Sequence, residues 1–514
     1  MSWYDLDNQR SWNILLALGI FLNIVVCFTS DLGLDTHVRM AADEEGMLPW
    51  GSTRPIDTEA SNPDDLGRVS APISYSSMQV KMISFSITMV LILIAWMIDN
   101  RLASLISIYP TFIFSNGRGY QEGAIAITAA VGFLFLFHRY QSKTTEKKSV
   151  IERWDFSGEP PSPILSIMAG IVLVSIVQWK GYLDNQLVII GGLCLGLVTY
   201  YLMKSRILSK WQTSTMKKGI IVYILATIAF FILGFLGYGG SLNVIKDEPL
   251  RLLSAYPFAV LDVLVIHLAF GMMIWPFIKS LGVSLNQNTE ESVTWHFLAC
   301  VFVAAFLTAY VAAQWTLESI LWSASWPGII WTMGNNGRYV SLLMIPIFIL
   351  IIRLEKTNPQ QFTLQKLSEG KKSMALAIIL VLPLSIFASF HGQTMWTDDA
   401  ADFLAGQVED GDEFLLIHDQ TLGMHWLYTM HNSFVQEDLV NVTGHWRSPD
   451  SDWQQELNQS EIKPDRGDIS SIEWLVMAPG LEGPSGEWEP IKQGQADFLN
   501  GGGEWSIFKR NISQ

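Results

Sequence analysis

"WNILLALGIFLNIVVCFTSDLGLDTHVRMAADEEG", residues 12–46, changes character at one point. Up to Ser30 it has no charged side chain; from Asp31 it places five carboxylates within fifteen positions, Asp31, Asp35, Asp43, Glu44 and Glu45. An α-helix needs roughly 17–25 apolar residues to cross a bilayer, and the run 12–30 supplies them. Acids, not a small-residue cleavage site, follow it, so it reads as a retained membrane helix and not a removed signal peptide.

The whole chain agrees with that first reading. Of its 514 residues 50% are apolar and only 16% charged, where soluble domains usually carry about 25% charge. Cys27, Cys194 and Cys300 all fall inside apolar runs, so they offer no disulfide framework and no reading of redox compartment. No basic nucleic-acid patch, internal repeat or low-complexity tract is present, and no nucleic-acid partner is expected.

Apolar runs occur at about 12–30, 82–98, 102–115, 124–138, 162–179, 187–203, 219–238, 257–278, 293–314, 338–353 and 373–391. They predict about 11 transmembrane helices, with the third and fourth short, in a transmembrane domain 1–391. The connecting segments 139–161, 204–218 and 353–372 each carry five basic residues, Lys147, Lys148, Lys217, Lys218, Lys371 and Lys372 among them. The alternate segments 116–123, 180–186, 239–256 and 315–337 carry one, one, two and none. Positive charge favours the cytoplasmic side, so the bias predicts a cytoplasmic N-terminus, an external loop 30–81 and an external tail in a multi-pass cell-membrane protein.

The tail, 392–514, holds 22 acidic against 6 basic residues, so the net charge of −15 belongs to it. EFLLIH (413–418), LVNVTG (439–444), IEWLVMAP (472–479) and EWSIFKR (504–510) read as strands around a helical TLGMHWLYTMHNS. A small external α/β domain is expected. The Asn-x-Ser/Thr sequons at Asn441, Asn458 and Asn511 all lie in it, in keeping with an external location.

Pumps and ion-coupled transporters place several ionisable groups at membrane depth. Here only Asp262, His267 and His296 do so, while acids gather at helix ends predicted to be external. Three such stretches stand out. In the first, Asp35 can cap a helix THVRMAADEEG, with Asp31 one turn earlier. The second, NGRGYQEG (116–123), is a tight turn with Arg118 and Glu122. The third, NNGRYVSLLMIP (335–346), puts Arg338 and Tyr339 at the mouth of the tenth helix. Carboxylates suit base or metal work; guanidinium groups suit a phosphate.

These stretches, in this order and topology, resemble the GT-C glycosyltransferases, closest to the protein O-mannosyltransferase and aminoarabinose-transferase branch. LDTHVRMAADEEGMLPWG is similar to that family's Asp-centred first external loop, with Asp35 at the catalytic position and Thr36 where an acid often follows. YPTFIFSNGRGYQEG looks like its proline-containing third helix leading to an acid, here Glu122. GRYVSLLMIP resembles the Arg-Tyr that opens a late helix. The tail has no WWDYG segment, which argues against the oligosaccharyltransferase branch.

The resemblance implies an inverting transfer of a sugar from a polyprenyl-phosphate-linked donor to a lipid, glycan or protein acceptor on the external face. Asp35 would be the general base, with Asp31 its neighbour. Glu122 and His37 would orient the acceptor or hold a divalent metal ion, the one cofactor left open. Arg338, Tyr339, Arg118 and Arg39 would bind substrate.

Plainer readings stand beside these. Asp31 and Asp35 can cap a surface helix, and Asp43, Glu44 and Glu45 can be a solvated face. Arg118 can pair with Glu122 as a clasp, and Arg338 can anchor at the interface. Asp262 can hydrogen-bond a neighbouring helix; His267 reads as a packing histidine, and His138 and His296 fall toward the cytoplasmic side. Trp315, Trp322, Trp326 and Trp331 fit an aromatic belt or a carrier-lipid guide. The rival functions are a non-enzymatic transporter or scaffold with an external sensing domain, and a GT-C-like glycan polymerase or ligase.

Overall fold

The structure is a computed structural model. It describes residues 9–41, 68–69, 77–137, 139–140, 154–155, 161–179, 185–211, 213–236, 240–263, 273, 276, 285, 291–321, 336–357, 370–392, 394–418, 423–437, 439, 441–458, 468–497 and 502–511.

From the N-terminus, α1 (Gln9–Thr29) is followed by the short α2 (Leu34–Ala41), and the two-residue β1 (Arg68–Val69) precedes α3 (Ser77–Ile98). Then come α4 (Asn100–Ser107), α5 (Pro110–Arg118) and α6 (Glu122–Phe137), the ribbon β2 (Arg139–Tyr140) and β3 (Trp154–Asp155), and α7 (Pro163–Trp179) with α8 (Asn185–Lys204). The elements α9 (Ile207–Lys210), α10 (Thr215–Phe235), α11 (Val244–Asp247) and α12 (Pro249–Leu261) lead to the long α13 (Glu291–Leu321). A 3₁₀ stretch Asn336–Leu343 opens α14 (Met344–Thr357), and a π stretch Ala377–Val381 opens α15 (Leu382–His391). The rest is α16 (Trp396–Ala405), β4 (Glu413–Ile417), α17 (Gly423–Gln436), β5 (Thr443–Arg447), α18 (Trp453–Glu456), β6 (Trp474–Met477), β7 (Trp488–Gln495) and β8 (Glu504–Arg510).

Among the described residues six helices are long and apolar enough to cross a membrane: α1, α3, α8, α10, α13 and the segment beginning at Gly370. Three shorter apolar helices, α6, α7 and α12, join them. That is fewer than the eleven expected spans, and the differences have local causes. The run 102–115 is cut at Ile108 and Tyr109, because Pro110 has no N–H and disfavours helical backbone at the residue before it. The run 338–353 starts as 3₁₀ helix, and 257–278 is described continuously only to Val263. The segment from Gly370 is apolar up to a turn at Gly392, whose φ of +83° is a left-handed helix ending.

Contacts divide the chain into two compact units. The first comprises Met1–Val25, Phe85–Asn116 and Gln121–Ser389. Its helices meet through small and polar groups, as lipid-facing helices must when apolar burial does not drive their association. Gly170 on α7 faces Gly192 and Gly196 on α8 so closely that a Cβ on any of the three would overlap the opposing backbone.

A polar seam runs through the same unit. Asn23 Nδ2 donates to the carbonyls of Gly19 and Ser107, and Asn116 Nδ2 donates to Asn23. Ser104 Oγ donates to Trp12, and Ser385 Oγ to Ile108. Two groups counted above as basic connectors are buried. Arg353 bonds Ser292 and packs over Phe137, and Lys218 Nζ donates to the Leu208 carbonyl.

The second unit comprises Val26–Ser84, Gly117–Tyr120 and Phe390–Gln514. Its sheet has the order β1-β5-β4-β6-β8-β7, with β4 parallel to both β5 and β6 and the remaining pairs antiparallel. The three parallel strands are buried almost throughout, in keeping with the apolar runs of β4 and β6, while β5 buries Thr443, His445 and Arg447. The helices α16 and α17 pack on this sheet through Trp396, Leu404, Leu427 and Phe434, and Leu34 of α2 joins the same core.

Candidate functional site

In the second unit the segment after α1 folds back as α2 and is tied to the turn Gly117–Tyr120. Gly33 N and Thr36 Oγ1 both donate to the Arg118 carbonyl, each at 2.9 Å. Gly119 takes φ of +69° against Leu32, Thr36 and Val80, and a Cβ on Gly33 would overlap the Tyr120 ring. Two stretches that the sequence singled out, one around Asp35 and one around Arg118, therefore stand together.

The acids there differ in setting. Asp35 is exposed in the first turn of α2, where the helix dipole favours its charge. Asp31 is half-buried and its Oδ2 accepts from the Met395 backbone N–H at 2.6 Å. Asp398 stands one turn further on, in the first turn of α16. Burial first, then the field of Asp31 and the charge of Asp402, raise Asp398 well above the usual carboxylate range, against the pull of Lys81. Asp399 is raised by the same kinds of cause, with Lys492 opposing.

His37 is buried, 2% exposed, and neither ring nitrogen has a hydrogen-bond partner among the described residues. Burial, then Lys81 and Arg118, hold it down to about 4, so it is neutral at physiological pH. Arg118 is buried in this unit too. Arg39 lies on α2, but its side chain is outside the described residues.

In the first unit Glu122 and Arg338 meet. Arg338 Nε donates to Glu122 Oε1 at 2.8 Å, both side chains being buried. Arg338 Nη2 reaches the Tyr339 hydroxyl at 3.4 Å, with its guanidinium 4.9 Å from that ring's centre, and Tyr339 meets Tyr310 edge to face. Asp262 accepts from Trp315 Nε1 at 3.3 Å. Trp315 is buried and stacks on Phe258, so it is no member of a lipid-facing belt. His296 bonds the Pro346 carbonyl and stacks on Phe137, a packing role.

Asp43, Glu44, Glu45, His138, His267, Trp322, Trp326 and Trp331 lie outside the described residues. Among the described residues no group of three or more His, Cys, Asp or Glu side chains could hold a metal ion.

Sequence reasoning did not find Asp398 or Lys81. The signal for the first was present in TDDAAD (397–402), acids opening an amphipathic helix just after the last apolar run. No family model, curated protein or solved structure matches the chain.

Proposed function

We propose that the chain is a polytopic membrane glycosyltransferase of the GT-C kind, moving a sugar from a polyprenyl-phosphate carrier to an acceptor on the external face, with the N-terminus cytoplasmic and the tail external. The observation that carries this reading is the tie between α2 and the Arg118 turn through Gly33 and Thr36. It gathers acids, a neutral imidazole and a guanidinium in the segment that directly follows an apolar helix.

Of the two acids, Asp31 suits the base better than Asp35. Its half-buried carboxylate is oriented by the Met395 backbone N–H. In the proposed single displacement the acceptor's hydroxyl or amine gives its proton to Asp31 as its lone pair bonds the sugar's anomeric carbon. The bond from that carbon to the phosphate oxygen breaks, and its electron pair leaves on the phosphate. Asp35 and His37 orient the acceptor. Within the first unit, Arg338 with Tyr339 is proposed as a phosphate-binding group, and Glu122 fixes the angle of its guanidinium.

Mass spectrometry of external glycoconjugates from cells carrying the wild type, Asp31→Asn or Asp35→Asn tests the reading. A glycoform lost with Asp31→Asn and reduced with Asp35→Asn supports it. Unchanged glycoforms in both variants would remove the enzyme reading.

A further inference from the structure

Residues 204–218, in the first unit, join the membrane-length helices α8 and α10 and carry five basic side chains with no acid among them. One of the five turns inward. Lys218 is buried, and its Nζ donates to the Leu208 carbonyl at 2.9 Å. Leu208 is buried too, so the short α9 is held against the start of α10 by that bond and its own apolar side chain.

The other four cations, Lys204, Arg206, Lys210 and Lys217, are exposed. Lys204 Nζ lies 5.4 Å from the centre of the Tyr200 ring. Tyr201, Ile207, Met216 and Ile220, interleaved with these cations in the sequence, are exposed as well. Cations beside apolar side chains, where two membrane-length helices end, match the two parts of a lipid. The charges suit a phosphate headgroup and the apolar groups suit acyl carbons.

Arg206 adds an independent observation. It stands between α8 and α9 with φ of +50°, in the left-handed region, and no other non-glycine residue among the described residues has a positive φ. Glycine is the usual residue at such a helix ending, because it has no Cβ to strain. Glycine would hold this turn with less strain but would carry no guanidinium. Strain kept at one position points to a use for the side chain. A guanidinium can hold two phosphate oxygens at once, which an ammonium cannot.

We propose that Lys204, Arg206, Lys210 and Lys217 form a headgroup site for an anionic phospholipid, with Arg206 on the phosphate and Ile207 and Met216 against the acyl chains. The occupant is a bilayer lipid because the cations stand at the ends of two membrane-length helices, among exposed apolar side chains. A zwitterionic headgroup offers no net charge to match theirs. Lipid binding here stands whether or not the chain transfers sugar.

The full chain, purified in a neutral detergent, is mixed with equal amounts of phosphatidylglycerol and phosphatidylcholine, and bound lipid is counted by native mass spectrometry. The wild type should retain phosphatidylglycerol in preference. Arg206→Gly suits the left-handed turn, so its folding is not at issue, and it should retain about fivefold less, the effect of one charge near a lipid surface. Lys204→Gln/Arg206→Gly/Lys210→Gln/Lys217→Gln should lose the preference. Lys147→Gln/Lys148→Gln/Lys371→Gln/Lys372→Gln, which removes the same charge from other basic segments, should keep it.

Equal retention of the two lipids by the wild type would overturn the proposal, as would an undiminished preference in the variant that lacks all four cations. Loss of the preference in the Lys147, Lys148, Lys371 and Lys372 variant would overturn it too, since total charge and not this site would then be the cause. Inorganic phosphate in place of chloride, at equal ionic strength, separates a lipid from a soluble anion. Bound phosphatidylglycerol should survive that exchange; its displacement would make this a site for free phosphate and overturn the lipid assignment.

Discussion

Arg338 donates through Nε to Glu122 Oε1 at 2.8 Å, joining two buried side chains 216 residues apart. The bond fixes one edge of the guanidinium, and the Tyr339 ring lies against its face. A buried ion pair of this kind costs most when only one partner is removed, because the survivor is left charged in a poor solvent.

Arg338→Ala should therefore destabilise the protein by about 3–5 kcal/mol, and Glu122→Gln, which keeps an oxygen acceptor, by less. The double variant Arg338→Met/Glu122→Met should recover much of that stability yet transfer no sugar if the guanidinium meets the donor phosphate. Thermal unfolding in detergent, beside transfer at matched membrane levels, separates clasp from phosphate contact. An active double variant would leave Arg338 a clasp only.

His37 gives the stability a pH dependence of known sign. Its folded value, held to about 4 by burial and then by Lys81 and Arg118, lies below the ordinary 6.5. The unfolded chain thus takes up the proton first, and the His37 contribution is complete above about 6.5 and lost as pH falls toward 4. The shift corresponds to stability on the order of 3 kcal/mol. Unfolding midpoints across this window should fall with pH in the wild type and fall less in His37→Gln. Equal slopes would mean that the ring is not buried neutral.

The packing of α7 against α8 depends on having no side chain at Gly192 and Gly196. Gly196→Leu would force the Ile167 backbone away and open the hairpin. A cysteine crosslink placed across the two helices should form in the wild type and fail in Gly196→Leu. Leu193→Ala, a partly exposed position on the same helix, should leave it intact.

Much of the fold follows from local chemistry that a sequence states openly. Apolar runs such as 12–30 make membrane-length helices, here α1 (Gln9–Thr29), and EFLLIH, IEWLVMAP and EWSIFKR contain β4, β6 and β8. The strand read at 439–444 lies a few residues early, since β5 takes in the polar run Thr443–Arg447. β7 escaped because Pro490, Lys492 and Gly494 give an exposed edge strand no apolar alternation. For the site, the stretches around Asp35 and Arg118 were legible one at a time. That Thr36 ties them, that the Met395 N–H returns to Asp31, and that Glu122 takes Arg338 are tertiary pairings, which no local pattern encodes.

Orientation is testable apart from chemistry. With the N-terminus cytoplasmic, protease added to intact cells should reach the acidic tail beyond Gly392 and spare the basic segment 204–218. Cleavage of 204–218 with a protected tail would invert the topology and put the proposed site on the wrong side of the membrane.

The most direct measurement is sugar transfer itself: membranes containing the full chain, a radiolabelled polyprenyl-phosphate sugar, and release of the label from the carrier onto an acceptor. The wild type should transfer, and Asp31→Asn should be slower by roughly 10²–10⁴-fold, the usual contribution of a general base, while still binding donor. Transfer by Asp31→Asn at the wild-type rate would contradict the account.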